Sequence, residues 1–229
     1  MLCGTNMTDI KIYNRSAILR LLHEAGAMSR KQIAARLKLP PATITVIINE
    51  LMNESILVEG NSVPNAGAVG RREVMVEISR EKYVALGLAL SQGLVKFTVV
   101  NLHGEIIHEE TFKLPEILTP EYFAETIGRQ IQLKIASYGY SENFIIGIGI
   151  TVCGVVDFAN GIILDSDGIW EEKNVPIVKM FRKQFSFPVI AANNVRSYAN
   201  AYAFLQHDSQ LQNICLLYTS PSPRDYAAS

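Results

Sequence analysis

The feature that most constrains this chain is residues 29–55, which read SRKQIAARLKLPPATITVIINELMNES. The pattern predicts two short helices joined by a tight turn, because Pro40 and Pro41 end one helical repeat and can begin another. Ser29 and Gln32 have the spacing of a capping box. In the second helix the apolar residues that recur at helical spacing are Ile44, Ile47, Ile48 and Leu51. This is the pattern of a helix-turn-helix, whose second helix enters the DNA major groove.

A basic loop follows these helices. Residues 56–78 read as a strand, a loop rich in Gly, Asn and Pro, and a second strand, with Arg71 and Arg72 at the end of the loop. A strand pair in this position predicts a winged helix whose wing contacts phosphates. A plain helical hairpin within a core would not explain the capped start, the short break and the basic loop together.

The predicted DNA-contacting residues fall into two groups. Phosphate contacts are expected from Arg30, Lys31, Arg71 and Arg72, and base contacts from Pro41, Ala42, Thr43, Thr45, Val46 and Asn49. A further helix over residues 13–26, capped by Asn14 or Ser16 and ended by Gly26, should pack beneath the motif.

The charge of the chain is unevenly distributed. The first 75 residues hold nine Lys and Arg against six Asp and Glu, a balance of +3, so the rest carries −4 of the total of −1. This distribution favours a DNA-binding head on an acidic body. Because the head is only mildly basic, one copy should bind weakly, and we expect a homodimer that reads two half-sites.

Composition excludes several classes of protein. A hydrophobic content of 48% with 19% charged residues indicates a folded chain, and no apolar run is long enough to cross a bilayer. The N-terminus lacks the apolar stretch of a signal peptide, so a cytoplasmic location without membrane partners is expected. The three cysteines, Cys3, Cys153 and Cys215, are far apart in sequence and form no C-x-x-C motif. This spacing predicts neither a metal site nor a zinc cluster.

The remainder of the chain predicts an α/β fold with a mixed sheet. Strands are expected over residues 83–90, 94–102, 105–113, 144–152 and 188–192, with helices over 120–138, 175–185 and 195–206. A hairpin is expected around Asn160 and Gly161. The helix over 120–138 argues against a β-sandwich, because its apolar residues recur on one face.

Several local strings, in this order, resemble the ROK family of repressors, open reading frames and kinases. They include NRSAILRLL, GRREVMVEI, IGIGITVCGVVD and FPVIAANN, and the resemblance runs from about Asn14 to about Leu217. It implies a winged helix-turn-helix followed by an actin/hexokinase-like (ribonuclease H-like) sugar-binding lobe. The expected domains are residues 1–78 for the DNA-binding part and 79–218 for an incomplete lobe.

Two departures separate the chain from the kinases that it resembles. The family's phosphate loop D-x-G-G-T falls on residues 89–93, which read ALSQG, and its E-N-D string falls on residues 192–194, which read ANN. The amide of Asn194 cannot act as the general base that the Asp supplies. The chain is therefore expected to have no catalytic residues, no cofactor and no enzymatic activity.

Sugar binding is still implied by the resemblance. The matching positions are Gly154, Asp167, Asn193 and Asn194, with loop capping as the structural alternative for the polar ones. The resulting hypothesis is a transcriptional repressor of sugar-metabolism genes whose partners are an operator DNA and a sugar or sugar phosphate. A sugar kinase with a regulatory head and a winged helix used for protein contact are the alternatives.

The end of the chain departs from the family pattern. Residues 219–225 read TSPSPRD where the family continues a strand, and two prolines would end any strand there. The string is similar to translated sequencing adapter. We therefore expect residues 219–229 to be a non-native or disordered tail on a truncated chain.

Overall fold

A computed structural model describes residues 7–60, 73–91, 93–114 and 119–205. These residues contain two hydrophobic cores, one in the N-terminal part (residues 7–60 and 73–78, here called the head) and one in residues 84–205 (here called the lobe). None of the described helices is long and apolar enough to cross a membrane.

The head contains three helices and a small antiparallel sheet. Its elements are α1 (Met7–Ala25), β1 (Met28–Ser29), α2 (Arg30–Leu37), α3 (Pro41–Asn53), β2 (Leu57–Glu59) and β3 (Met75–Ile78). The strand order is β1-β3-β2. The apolar stripe predicted for α3 is buried throughout, which confirms the helix-turn-helix assignment. β2 and β3 pair as the predicted wing requires, but the loop between them, with Arg71 and Arg72, lies outside the described residues.

The turn between α2 and α3 forms for the local reasons that the sequence indicates. Ser29 Oγ accepts from the N–H of Gln32 at 3.3 Å, and Gln32 Oε1 accepts from the N–H of Ser29 at 2.8 Å, which completes the capping box. Lys38 adopts a left-handed conformation with φ of 52° and ends α2. Pro41 then occupies the first turn of α3.

The predicted start of α1 is wrong. α1 already includes Met7, so Asn14 and Ser16 lie inside the helix and cap nothing at its start. Residues 7–13 contain no Gly or Pro that would interrupt the helix. An ion pair with α3 also stabilises this segment, since Lys11 Nζ lies 2.8 Å from Glu50 Oε1. The end is as predicted, because Gly26 has φ of 75° and its N–H donates to the carbonyl of Leu22 at 3.0 Å.

The lobe is a five-stranded mixed sheet with helices, as predicted. Its elements are β4 (Val84–Ser91), β5 (Leu94–Asn101), β6 (Ile106–Lys113), α4 (Pro120–Ser137), β7 (Ile145–Val152), β8 (Val155–Asp157), β9 (Ile162–Asp165), α5 (Ile177–Arg182), β10 (Val189–Asn193) and α6 (Asn194–Leu205). The order is β10-β7-β4-β5-β6, with β4, β7 and β10 parallel and β8–β9 a separate hairpin. α4 buries its predicted apolar face in the core of the lobe.

The register of the three parallel strands determines where a ligand site can form. Leu90 of β4 pairs with Val152 of β7, and Val152 pairs with Asn193 of β10. The segments that follow these residues therefore leave the sheet side by side at its carboxyl edge. Ligands of open α/β sheets bind at this edge.

Residues 79–83 and their neighbours join the head to the lobe and are called the junction here. Tyr83 donates its hydroxyl to the carbonyl of Glu54 at 3.1 Å, and Lys82 Nζ donates to Ser55 Oγ at 2.9 Å. Both side chains also contact the ring of Phe144, Lys82 at 4.7 Å from its centre and Tyr83 edge-on at 5.6 Å between centroids. The C-terminal end of α3 is thus tied directly to the lobe.

An ion pair between α1 and α3 gives the first prediction. Arg15 Nη1 lies 3.0 Å from Glu54 Oε1, and the hydrogen bond from Arg15 holds the pKa of the Glu54 carboxyl below its ordinary value. Arg15→Gln should therefore lower the melting temperature by a few degrees at neutral pH, since such pairs contribute about 0.5–1 kcal/mol. The measurement is thermal unfolding followed by circular dichroism.

The sign of the pH dependence provides the control. A lowered carboxyl pKa stabilises the fold above the ordinary pKa and loses this effect as the pH falls through the lowered value. The difference between wild type and Arg15→Gln should therefore shrink between neutral pH and an acidic pH below the lowered pKa of Glu54. Arg20→Gln, on an exposed position of α1, should leave the melting temperature unchanged at both pH values. An equal loss in both variants would contradict the assignment.

Candidate functional site

The outward face of α3 carries small and apolar groups. Ala42, Val46 and Asn49 are exposed, and Val46 retains 57% of its accessible surface. The hydroxyl of Thr45 donates to the carbonyl of Pro41 at 2.9 Å, which leaves its methyl group to the outside. Thr43 is half-buried. A helix whose exposed face is uncharged and whose opposite, apolar face is buried is suited to contact base edges in a major groove.

A groove of about 410 Å³ separates α2 from the start of α3. It brings four of the predicted DNA-contacting residues together with apolar neighbours, and its lining is Arg30, Lys31, Ala34, Ala35, Leu39, Pro41 and Thr45. The groove opens beside the first turn of α3, so a phosphate backbone that followed α2 would meet both helices.

The cations of the head divide into paired and available groups. Lys11 and Arg15 are held by Glu50 and Glu54 of α3, which draws the acidic side of α3 toward α1. Lys31, with Arg36 and Lys38, lies exposed on or just after α2 and makes no ion pair within the part of the chain that the structure describes. Among the described residues of the head, α2 and the residue after it thus carry three exposed cations without an ion pair, and Arg20 of α1 is a fourth.

Arg30 makes a contact that the sequence analysis did not foresee. Its Nη2 donates to Asn49 Oδ1 at 3.0 Å and approaches Met52 Sδ at 3.6 Å. The first residue of α2 is thereby bonded to the third turn of α3. Arg30 and Asn49 lie 19 positions apart, and the sequence pattern predicts separate roles for them, but a hydrogen bond holds them together.

At the carboxyl edge of the lobe the predicted sugar-binding residues lie together. Asn193 Nδ2 donates to the carbonyl of Gly154 at 2.8 Å, while its Oδ1 accepts from the N–H of Arg196 at 3.2 Å at the start of α6. Asn194 Oδ1 accepts from the N–H of Val195 at 2.9 Å. Both amides therefore cap and fasten the loops, as the structural alternative requires, and their role toward a sugar remains a prediction.

Asp167 reaches the same place from another loop. It adopts a left-handed conformation with φ of 46°, and its Oδ2 accepts from the thiol of Cys153 at 3.5 Å. Burial raises the pKa of Cys153, and the hydrogen bond to the Asp167 carboxylate raises it further, so the group is a thiol at neutral pH. Sequence analysis missed this contact, since an isolated Cys carries no pattern.

Two buried residues, Ser166 and Trp170, hold the loop that carries Asp167. The buried Ser166 accepts through Oγ from the N–H of Trp170 at 3.3 Å and donates to the carbonyl of Trp170 at 3.2 Å. The indole of Trp170 is 7% exposed and packs 5.5 Å from the ring of Phe123 on α4. Trp170 therefore belongs to the hydrophobic core of the lobe.

The positions that match the kinase loops carry different chemistry here. Ala89 to Ser91 continue strand β4 into the turn to β5, where Ser91 Oγ donates to the carbonyl of Leu94 at 3.4 Å. Gln92 lies outside the described residues. Within the described ranges, no group of three or more His, Cys, Asp or Glu side chains could hold a metal ion.

The fold and both sites define a winged helix joined to an α/β domain with a ligand edge. The sequence model of the ROK family matches residues 86–220, more than half of the chain, and the model described as winged helix-turn-helix DNA-binding matches residues 13–58. The chain belongs to the ROK family. Its lobe, a five-stranded mixed sheet with helices, holds most of the residues that the family model matches.

Its relatives include named repressors. The chain is 27% identical over 193 residues to a putative xylose repressor of a Caldicellulosiruptor species, covering 84% of this chain and 47% of that protein. It is 28% identical over 196 residues to the N-acetylglucosamine repressor of Shigella flexneri, covering 86% and 47%. The chain thus spans about half the length of these relatives.

A solved structure has the same fold. A ROK family transcriptional regulator, described as a homologue of the Escherichia coli Mlc protein, superposes with a TM-score of 0.69 at 24% identity, covering 85% of this chain and 48% of that one. At 85% coverage of this chain, the match includes residues of both the head and the lobe.

The tight packing at Gly154 yields the second prediction. Gly154 has φ of 134°, and an added Cβ would lie 2.1 Å from the carbonyl oxygen of Asp165. Gly154→Ala should therefore lower the free energy of unfolding of the lobe by about 2 kcal/mol or more. Urea unfolding followed through Trp170, the single tryptophan of the chain, measures it.

Strand β7, which ends two residues before Gly154, offers the matched control. At Gly149 an added Cβ meets nothing within 4 Å, so Gly149→Ala should leave the urea midpoint nearly unchanged. Equal midpoints for Gly154→Ala and wild type would show that the loop around residue 154 is not held as described.

Proposed function

We propose that this chain is the DNA-binding part, with one lobe of the effector domain, of a transcriptional repressor of sugar-metabolism genes. The observation that carries the proposal is the outer stripe of α3, uncharged and exposed above a buried apolar back, beside the available cations of α2. The repressor names of the relatives and the DNA-binding family model support it.

The proposed roles divide the head between positioning and reading. Phosphates are contacted by Arg30, Lys31 and, from the wing, Arg71 and Arg72. The base edges are faced by α3 with Pro41, Ala42, Thr43, Thr45, Val46 and Asn49. The exposed side chain of Val46 suits the methyl group of thymine. We propose a domain boundary between the head and the lobe at about residue 78.

The effector is proposed to be a sugar or sugar phosphate bound at the carboxyl edge of the lobe, near Gly154, Asp167, Asn193 and Asn194. The support is the convergence of two loops and a strand end on one place, together with the sugars that the relatives are named for. The chain is proposed to act without catalysis, because Asn194 occupies the position of the base. ATP-dependent phosphorylation of a hexose by this chain would contradict that.

A homodimer is proposed for the whole protein. One head offers a single recognition helix, and the net charge of +3 over residues 1–75 is small for a DNA-binding module. Two heads reading adjacent half-sites would supply both the affinity and the length of contact that an operator requires.

The test is DNA binding by the full chain to the region upstream of its own gene, at two salt concentrations. Binding should be sequence-selective and should weaken steeply with salt. Lys31→Ala should weaken binding to all sequences and reduce the slope of log K against log salt by about one, since one phosphate contact is lost. Fluorescence anisotropy with labelled duplex measures both quantities.

Lys179→Ala is the matched control, because Lys179 is an exposed lysine on α5 of the lobe. Its removal should leave affinity and salt slope unchanged. A folded chain that binds no duplex, or binds all duplexes alike, would contradict the repressor proposal and favour a winged helix used for protein contact.

A further inference from the structure

The contact between Arg30 and Asn49 constrains what the recognition helix can read. Arg30 is fixed at the first position of α2 by the capping box of Ser29 and Gln32. From there its guanidinium reaches across to Asn49 Oδ1 at 3.0 Å and to Met52 Sδ at 3.6 Å. Two contacts on successive turns of α3 hold the guanidinium above the exposed amide.

The chemistry of the two groups determines which way the amide turns. A guanidinium has five donors and no acceptor, so it can bond only the oxygen of the Asn49 amide. The oxygen therefore faces Arg30, and the NH₂ group is left for a ligand. The choice between the two amide orientations, which electron density often leaves open, is fixed here by the partner.

The neighbouring groups on the stripe offer few acceptors in its place. Ala42 and Val46 present only methyl groups, and the Thr45 hydroxyl is already donated to Pro41. The middle of the reading face thus offers N–H donors from Asn49 and Arg30 and a row of methyl groups. A base that donates a proton would have to use the Thr45 hydroxyl oxygen or the second lone pair of Asn49 Oδ1, the oxygen that already faces Arg30.

We infer that Arg30 is a positioning residue that holds the Asn49 amide with its NH₂ toward the groove, so that Asn49 reads guanine in preference to adenine. Adenine requires both the oxygen and the nitrogen of an Asn amide, because it presents an N6 donor beside the N7 acceptor. Guanine presents two acceptors, N7 and O6, which match a donor-only face. This inference rests on the proposed function.

The experiment begins with the full chain and a random-sequence duplex library, from which bound duplexes are enriched. The enriched duplex is resynthesised with 7-deazaguanine or, separately, with 7-deazaadenine, each of which lacks the N7 acceptor of its purine. We expect 7-deazaguanine in the half-site to weaken binding about fivefold to tenfold, and 7-deazaadenine to have little effect.

Two variants distinguish positioning from simple loss of charge. Arg30→Met removes the bond to Asn49 but keeps an apolar contact with Met52, so the released amide should accept adenine and the preference for guanine should shrink by a similar factor. Lys31→Met removes a neighbouring positive charge from the same turn. It should weaken binding to every duplex while leaving the ratio between the two deazapurine duplexes unchanged.

The outcomes separate the inference from the proposed function. If the wild-type chain enriches no duplex, the proposed function itself fails. If it enriches a duplex but responds more to 7-deazaadenine, the inference about Asn49 is overturned. An unchanged ratio in Arg30→Met, with binding retained, would show that Arg30 does not orient Asn49.

Discussion

The properties of the head depend on the burial of one face of α3. Ile44, Ile48 and Leu51 have no accessible surface, and each fully buried aliphatic side chain contributes about 1.5–3 kcal/mol. Because the helix cannot rotate without exposing these groups, the opposite face is held outward in one orientation. The ion pairs of Glu50 and Glu54 with α1 add to this constraint and draw negative charge away from the side that would approach DNA.

In the lobe, strand pairing has the corresponding role. The parallel register of β4, β7 and β10 brings three chain segments out of the sheet at one edge, although they are separated by tens of residues in sequence. Close packing then fixes the loops against each other, since Gly154 leaves no room for a side chain beside Asp165.

The sequence predicts the features that local rules control. The capping box at Ser29, the break at Pro41 and the apolar repeats of α3 and α4 each depend on residues within one or two turns. The contacts between Arg30 and Asn49 and between Cys153 and Asp167 could not be predicted, because they join separate elements and leave no periodic signal. β1 was missed for a related reason: two residues cannot show an alternation, and they become a strand only by pairing with β3.

The junction has a mechanical consequence. Tyr83 and Lys82 hydrogen-bond to Glu54 and Ser55, directly after the last turn of α3. The 13 residues of α3 extend about 20 Å from this attachment to the first turn of the helix. A rotation of the lobe by about 10° about the junction would carry the far end of the helix roughly 3.5 Å, close to the rise of one base pair. If α3 turned with the lobe in this way, its first turn would move by about one base-pair step while its last turn hardly moved, and the proposed contacts with a half-site would lose their register.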